Sequence, residues 1–314
     1  MRIHIEGPSS PFRSDALAAG VARLASLGHT ISGHDDALRG RHAYLNGDDG
    51  ERKSRLERAL ASDVDVLWLA RGGYGLTRIT DDIVVPERVP VVVGFSDTTA
   101  LFGRLARAGH LQRCVHGPLA TTIAQEPADS IERALAVIAR RAGAATTTPP
   151  ALPALRPLVR AAHGGADDVQ GHLWAGNLVV LAALIGTASM PSLAGHIVVL
   201  EEVGERPYRL DRLLTQLLRS GAFDGVRAFV IGHLTSCDEP APSTPPAASA
   251  TRDAAPRGLD VVVERLSGAG VPVVCGLPCG HEAPNLALPL GATARLRVFD
   301  DTALMTVDDD DARV

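Results

Sequence analysis

The chain has 314 residues, of which 46% are hydrophobic and 21% are charged, and its formal net charge at pH 7 is -5. This composition excludes a wholly disordered chain, which would lack the apolar surface that offsets the entropy cost of ordering, and the length fits roughly two domains. Because nucleic-acid-binding surfaces are usually basic, the mildly acidic balance argues against that class of partner.

The first half of the chain alternates short apolar runs with amphipathic segments. Strands are predicted at Arg2–Glu6, Val64–Ala70 and Val89–Phe95, and helices after Ser10-Pro11, which has the form of an N-cap followed by a first-turn proline, and over Ser54–Ala61. Strands that alternate with helices at this spacing indicate a parallel, doubly wound sheet. We therefore expect residues 1–143 to form an N-terminal α/β domain.

A segment rich in alanine, threonine and proline, residues 144–166, shows neither helical nor strand periodicity and is interpreted as a linker. The predicted elements beyond it are a strand and helix around Leu173–Ile185, strands at His196–Leu200, Val226–Ile231 and Val271–Val274, a helix at Pro207–Leu218, and a late β-rich stretch at Thr293–Phe299 and Ala303–Val307. They predict a smaller C-terminal α/β domain at 167–314, with a surface insertion at Asp238–Arg257 and a solvated tail at Asp308–Asp311.

The cysteines and the apolar segments indicate the compartment. The four cysteines are too scattered for a disulfide framework or a zinc site, so we expect small buried thiols in a reducing environment and no metal. The N-terminus lacks the apolar core of a secretory signal, and the apolar stretch Leu178–Ile185 falls short of the ~20 residues that span a bilayer. The sequence therefore predicts a cytoplasmic protein without a membrane anchor.

The segment Val91–Leu101 carries the clearest chemical signal. An apolar strand runs through Gly94 into Ser96, and a helix is predicted to open with Asp97. This pattern is typical of a nucleophile elbow, in which a sharp turn exposes the serine hydroxyl and the N–H groups of the helix N-terminus point to the same spot. Such donors can stabilise a developing oxyanion. The alternative is that Ser96 or Asp97 only caps the helix.

A glycine-rich segment, Arg71–Gly75, directly follows the strand predicted at Val64–Ala70. Three glycines in five positions allow the backbone to approach a ligand closely or to adopt positive φ. Because the carboxyl ends of parallel strands meet at one sheet edge, we expect this loop to share a crevice with Ser96. It lacks the lysine of a P-loop and the spacing of a dinucleotide site, and a tight strand–helix turn is the alternative.

Two further segments supply a carboxylate and a histidine. Leu200–Glu205 places Glu201 at the end of an apolar strand, and Val274–Glu282 delivers His281 from a loop rich in glycine and proline. Taken singly, such residues are usually a solvated carboxylate and a structural histidine. Together with Ser96 they supply the nucleophile, base and orienting carboxylate of acyl-transfer hydrolysis.

Five ordered segments resemble the LD-carboxypeptidase family, also called muramoyltetrapeptide carboxypeptidases. They are Arg71–Gly75, Gly94–Thr98, Trp174–Leu178, Leu200–Glu205 and Gly280–Glu282. The resemblance covers nearly the whole chain and is more specific than any single motif. The chain departs from the family in having Ala175 where glycine is common, and in a longer segment at Asp238–Arg257.

The resemblance implies a role for each matching residue. Ser96 would be the nucleophile, His281 the general base and acid, and Glu201 the residue that orients His281. The backbone N–H of Asp97, with that of Gly72 or Gly73, would form the oxyanion hole. Residues that would contact substrate are Arg71, as a partner for a terminal carboxylate, and Trp174 and Asn177, which would shape the pocket.

The resemblance also implies a substrate and an assembly. A serine carboxypeptidase of this family would release terminal D-alanine from cytoplasmic murein tetrapeptides, without a cofactor, as a homodimer. The family also includes self-immunity peptidases that cleave peptidyl-nucleotides resembling microcin C, so such a compound is the alternative substrate. The third alternative is a muropeptide-binding homologue that has lost activity.

Overall fold

The computed structural model describes residues 1–38, 40, 42–144, 147–161, 167–240 and 256–309. Most of the predicted insertion at Asp238–Arg257, two parts of the predicted linker 144–166 and the end of the predicted tail lie outside the described residues. No helix within the described ranges is both long enough and apolar enough to cross a membrane.

Helices and strands alternate along the part of the chain that the structure describes. The strands are β1 (Arg2–Glu6), β2 (Thr30–Ser32), β3 (Val66–Leu69), β4 (Val91–Gly94), β5 (Cys114–His116), β6 (Arg156–Val159), β7 (Asp168–Asn177), β8 (His196–Val203), β9 (Ala228–Thr235), β10 (Val273–Cys275), β11 (Leu288–Pro289), β12 (Thr293–Val298) and β13 (Ala303–Asp308). The α-helices are α1 (Ser14–Ser26), α2 (His34–Ala37), α3 (Asp49–Leu60), α4 (Thr98–Arg107), α5 (Ala128–Arg141), α6 (Leu178–Ala183), α7 (Pro207–Arg219) and α8 (Gly258–Ser267).

The first sheet has the strand order β11-β5-β4-β3-β1-β2, and only its edge pair β11–β5 is antiparallel. Every residue of β3 and β4 is buried, because helices cover both faces of the sheet. Val91 and Val93 pack in one core with residues of α1 and α5, whereas Val92 packs in another with residues of α3 and α4. The predicted doubly wound, mostly parallel sheet is confirmed.

The second sheet has the order β13-β12-β7-β8-β9-β10-β6. Its centre, β7 to β10, is parallel, while β6, β12 and β13 pair antiparallel at its two sides. The amphipathic helix α7 buries Leu210, Leu214 and Leu217 at the spacing expected for a helix covering a sheet. The predicted α/β arrangement with a late β-rich segment is therefore confirmed.

The two halves of the chain are closely joined. Strand β11, from the second half, pairs with β5 in the first sheet, and β6 lies inside the segment 144–166, for which no element is predicted. A Cβ added at Gly103 of α4 would meet the Ser189 carbonyl oxygen at 2.3 Å, so this glycine allows the helix to touch the second half. One apolar core includes residues of both sheets.

The predicted helix start at Ser10-Pro11 is wrong. Helix α1 begins at Ser14, and its N-cap residue Arg13 makes no side-chain capping bond. Ser10 has another partner: its hydroxyl accepts a hydrogen bond from the Tyr74 N–H at 3.1 Å. The Ser10 hydroxyl, which the local pattern assigns to a helix cap, thus binds a loop that is distant in sequence.

Candidate active site

The turn between β4 and α4 has the geometry of the predicted elbow. Ser96 has φ 62, a left-handed conformation that is uncommon for residues other than glycine and costs of order 1–2 kcal/mol. Gly94 permits the tight turn, since a Cβ there would meet Thr98 Oγ1 at 2.6 Å. Ser96 is partly exposed, whereas the residues on both sides of it are buried. The serine hydroxyl is therefore presented at the carboxyl end of β4.

The alternative role, a helix cap, is contradicted for Asp97. Asp97 occupies the N-cap position of α4 but has helical dihedral angles and makes no side-chain capping bond. Its carboxylate instead accepts a hydrogen bond from the Leu76 N–H at 2.9 Å. Burial raises the pKa of the Asp97 carboxyl, and this shift is opposed by hydrogen bonds and by the charge of Arg52.

The glycine-rich loop meets the elbow, as predicted from the order of the parallel strands. A Cβ added at Gly72 would lie 2.9 Å from Ser96 Cβ, 3.1 Å from Ser96 Oγ and 3.3 Å from the Asp97 nitrogen. Gly73 has φ +98 and packs against Ser10. Only a residue without a side chain fits between the loop and the serine, so the backbone of the loop borders the hydroxyl directly.

The carboxylate and the histidine meet at the same place. Nδ1 of His281 lies 2.6 Å from Oε2 of Glu201, and Glu201 is fully buried on β8 while the His281 side chain is 19% exposed. Gly280 has φ +128, and a Cβ there would lie 2.9 Å from Glu201 Oε2. Glycine at this position therefore allows the histidine loop to approach the carboxylate.

The His281 ring lies against the elbow. Its centroid is 4.8 Å from that of Phe95, the residue before Ser96, in an edge-on arrangement. Within the described residues no hydrogen bond joins the Ser96 hydroxyl to His281. In sites without substrate such bonds are often long and shorten when substrate binds. The structure thus brings the three residues to one site and forms the Glu201–His281 bond alone.

Asn177 and Trp174 lie on β7, which pairs with the strand that carries Glu201. Asn177 is the register partner of Glu201, caps α6 by accepting the Val180 N–H, and is almost fully buried. Trp174 is fully buried, and its indole nitrogen has no hydrogen-bond partner. Their contribution to substrate binding stays a prediction.

Arg71 is exposed at the start of the glycine-rich loop. One nitrogen of its guanidinium donates to the Pro11 carbonyl, which ties the side chain to the loop after β1. Recognition of a substrate carboxylate by Arg71 stays a prediction as well.

Several polar residues at the site are absent from the sequence predictions. His116 is fully buried, contacts Cys279 Sγ through Nδ1 at 3.4 Å, and has its pKa lowered to about 4 by burial. His233 lies beside Gly280, and burial lowers its pKa too. The strand Ala228–Thr235 is apolar except for its glycine, histidine and threonine, and this interruption could have drawn attention to His233. The three-residue strand that carries His116 offers no such signal.

Glu202 has different hydrogen-bond partners from its neighbour Glu201. It accepts hydrogen bonds from the N–H groups of Val179 and Val203, both at 2.8 Å, and from the Asn177 amide at 3.2 Å. Burial raises the pKa of its carboxyl. Glu202 therefore joins the start of α6 to β8, and sequence alone does not show which of the two glutamates contacts His281.

The four cysteines are free and buried, as predicted. Burial raises the pKa of the Cys279 thiol, so this cysteine, which contacts His116, stays an uncharged thiol. Among the residues that the structure describes, no group of three or more histidine, cysteine, aspartate and glutamate side chains could hold a metal ion.

Comparison with known proteins agrees with this fold. Family models described as the LD-carboxypeptidase N-terminal domain and the LD-carboxypeptidase C-terminal domain match residues 3–117 and 170–296. The chain belongs to the LD-carboxypeptidase family.

Three relatives illustrate the range of the family. Murein tetrapeptide carboxypeptidase of Pseudomonas aeruginosa is 31% identical over 306 residues, covering 94% of this chain and 92% of the relative. Microcin C7 self-immunity protein MccF of Escherichia coli is 29% identical over 225 residues, covering 64% and 61%. The crystal structure of muramoyltetrapeptide carboxypeptidase from Oxalobacter formigenes superposes with a TM-score of 0.74 at 26% identity and 98% coverage of both chains.

Proposed function

We propose that this protein is a serine carboxypeptidase that releases terminal D-alanine from murein tetrapeptides by hydrolysing an L,D-peptide bond. The observation that carries the proposal is the Glu201–His281 hydrogen bond at 2.6 Å beside the elbow of Ser96. Membership of the family and the similarity to a murein tetrapeptide carboxypeptidase support the choice of reaction and substrate.

In this proposal Glu201 fixes the proton of His281 on Nδ1, which leaves Nε2 as the base for the serine. Nε2 accepts the Ser96 proton while Oγ attacks the carbonyl carbon of the scissile bond. His281 then donates this proton to the nitrogen of the departing D-alanine, and an acyl-enzyme remains. Water, deprotonated by His281, hydrolyses the ester and restores the serine.

The negative charge that develops on the carbonyl oxygen needs donors that are already in place. The backbone N–H of Asp97 and that of Gly72 or Gly73 are proposed for this role, because the loop and the elbow are in contact at Ser96. Fixed donors of this kind stabilise the tetrahedral intermediate without reorganisation during the reaction. Arg71, Trp174 and Asn177 are proposed to bind substrate, Arg71 through the terminal carboxylate.

The reaction is tested with purified protein and a synthetic murein tetrapeptide, with free D-alanine as the measured product. The matched control peptide carries terminal L-alanine, because a pocket that reads both stereocentres of the scissile bond rejects it. Release of D-alanine alone supports the proposal. Equal release from both peptides contradicts the L,D-specificity, and release from neither contradicts the activity.

A second candidate keeps the chemistry and changes the substrate. Similarity to the microcin C7 self-immunity protein over about two thirds of the chain favours a peptidyl-nucleotide as that substrate. Turnover of a peptidyl-sulfamoyl-nucleoside and of the tetrapeptide by the same preparation separates the two candidates. An inactive muropeptide-binding homologue would bind the tetrapeptide in calorimetry and cleave neither compound.

The proposed cell biology follows from the same family resemblance. A recycling carboxypeptidase for murein peptides acts in the cytoplasm, and we propose that location and a homodimeric state for this chain. Sedimentation of the purified protein tests the dimer, and fractionation of the producing cells tests the location.

A further inference from the structure

A single peptide group lies between two buried, oppositely charged side chains behind the elbow. The carbonyl oxygen of Gly75 accepts a hydrogen bond from Nη1 of Arg52 at 3.0 Å, and the N–H of Leu76 donates to Oδ2 of Asp97 at 2.9 Å. These two polar atoms belong to the same peptide bond. Arg52 is fully buried and Asp97 is 1% exposed.

The charges match the dipole of this peptide group. The cation of Arg52 faces the negative, carbonyl end, and the carboxylate of Asp97 faces the positive, N–H end. Hydrogen bonds with one ionised partner are about twice as strong as those between neutral groups, and burial strengthens them further. The Gly75–Leu76 peptide is therefore held more firmly than an ordinary loop peptide.

Other contacts join Arg52 to further elements of the fold. Arg52 projects from α3 and also donates to the Pro8 carbonyl at 2.5 Å and to Asp49 at 2.5 Å. Gly75 has φ +134, and a Cβ there would lie 2.7 Å from Nη1 of Arg52, so glycine is required in both conformation and space. The loop after β1, helix α3 and the glycine-rich loop thus meet at one guanidinium.

This arrangement acts on the residues of the oxyanion hole. Asp97 supplies one proposed donor through its backbone N–H, and its side chain holds the loop that supplies the other, at Gly72 or Gly73. The Asp97 carboxylate binds the Gly75–Leu76 peptide, and Arg52 binds the other end of the same peptide. The distance between the two donors therefore depends on both side chains. A displacement of about 1 Å in such a constellation costs of the order of 100-fold in rate.

We propose that Arg52 and the side chain of Asp97 are positioning residues that hold the glycine-rich loop in register with the nucleophile. The inference rests on the proposed function, because it assigns the oxyanion hole to these backbone groups. Neither side chain touches the reacting atoms. Their effect is on the transition state, so it falls on kcat and leaves KM nearly unchanged.

The test compares Arg52→Met, Asp97→Asn, Asp97→Ala and the double variant Arg52→Met/Asp97→Asn in D-alanine release. The matched control is Arg55→Met. Arg55 is also a buried arginine of α3, but it contacts Asn46 and Glu6 rather than the glycine-rich loop. All assays are made at a temperature at which each variant is folded, as measured by its unfolding curve.

We expect Arg52→Met and Asp97→Ala to lower kcat at least about tenfold with KM within about twofold, and Asp97→Asn, which keeps an acceptor for the Leu76 N–H, to lose less. The double variant should lose no more than the worse single variant, because both residues act on one peptide. Arg55→Met should be destabilised and keep the wild-type kcat.

Unchanged kcat in Arg52→Met and Asp97→Ala overturns the proposal, as does an equal loss of kcat in Arg55→Met or a fully additive double variant. A wild-type protein that releases no D-alanine contradicts the proposed function instead, so the two failures are distinguishable. Crystal structures of the folded variants supply the second readout: the distance from the Gly72 nitrogen to the Asp97 nitrogen should change in Arg52→Met and stay constant in Arg55→Met.

Discussion

The side chain of Glu201 holds His281 beside the serine elbow, with Oε2 of the glutamate 2.6 Å from Nδ1 of the imidazole. Glu201 is completely buried, so its position is set by β8 and not by solvent. A histidine held in this way has a fixed ring orientation and a fixed tautomer. In the proposed mechanism this bond leaves Nε2 of the ring free to exchange a proton with Ser96.

Replacing Glu201 by glutamine should lower kcat about 1,000-fold or more, because an amide no longer stabilises the imidazolium that forms during the reaction. KM should change little, since the Glu201 side chain is fully buried and contacts His281. Steady-state D-alanine release measures both constants. A Glu201→Gln enzyme with near-wild-type kcat would remove Glu201 from the mechanism.

The adjacent residue provides a contrasting variant. Glu202→Gln places an amide N–H₂ where the structure has a carboxylate accepting three hydrogen bonds, and we expect a loss of about 1–3 kcal/mol in the free energy of unfolding. Its kcat should stay close to that of the wild type while the protein is folded. Urea unfolding and activity assays on both variants test whether Glu201 acts in catalysis and Glu202 in stability. An equal loss of activity in the two variants would contradict this difference.

Gly72→Ala should impair catalysis without unfolding the protein. The added methyl group would lie 2.9 Å from Ser96 Cβ and 3.1 Å from its Oγ, so either the loop or the serine must move. We expect kcat to fall about 100-fold. Gly268→Ala is the control, because no heavy atom lies within 4 Å of a Cβ at that position. Equal kcat for the two variants would contradict the close approach of the loop to the serine.

His116 should make the protein less stable in acid. Full burial lowers its pKa to about 4, whereas an unfolded histidine titrates near 6.5. Between these values the unfolded state binds a proton that the folded state does not, so stability falls as the pH falls, by up to about 3 kcal/mol from this group. His116→Gln should flatten the pH dependence of unfolding over this window. Parallel curves for the two proteins would contradict the assignment.

The main architecture could be predicted from the sequence where local signals and burial agree. The runs at β3 and β4 are continuously apolar because both of their faces are covered, and the helix at Pro207 has an apolar stripe. Helix α5 was predictable, since its buried Ile131, Ala134 and Ile138 lie three and four residues apart, yet it is absent from the predictions. The two-residue strand β11 is defined only by its pairing with β5 and carries no periodicity.

The candidate site also contains some features with a local sequence signal and others that only the tertiary structure defines. The turn at Ser96 and the glycines near it carry local signals, because a strained strand-to-helix turn restricts which residues can occupy it. The difference between Glu201 and Glu202 depends on which face of β8 meets the histidine loop, and residue types alone do not show this. The role of Arg52 is likewise a tertiary property, since it lies 23 residues before the carbonyl that it binds.

The most direct test of the account is D-alanine release from murein tetrapeptide by the wild-type protein and by Ser96→Ala, measured side by side on folded material. We expect rapid release by the wild type, and release by Ser96→Ala only at the residual rate that a site without its nucleophile retains. Release by Ser96→Ala at a rate near that of the wild type would contradict the assignment of Ser96 as the nucleophile.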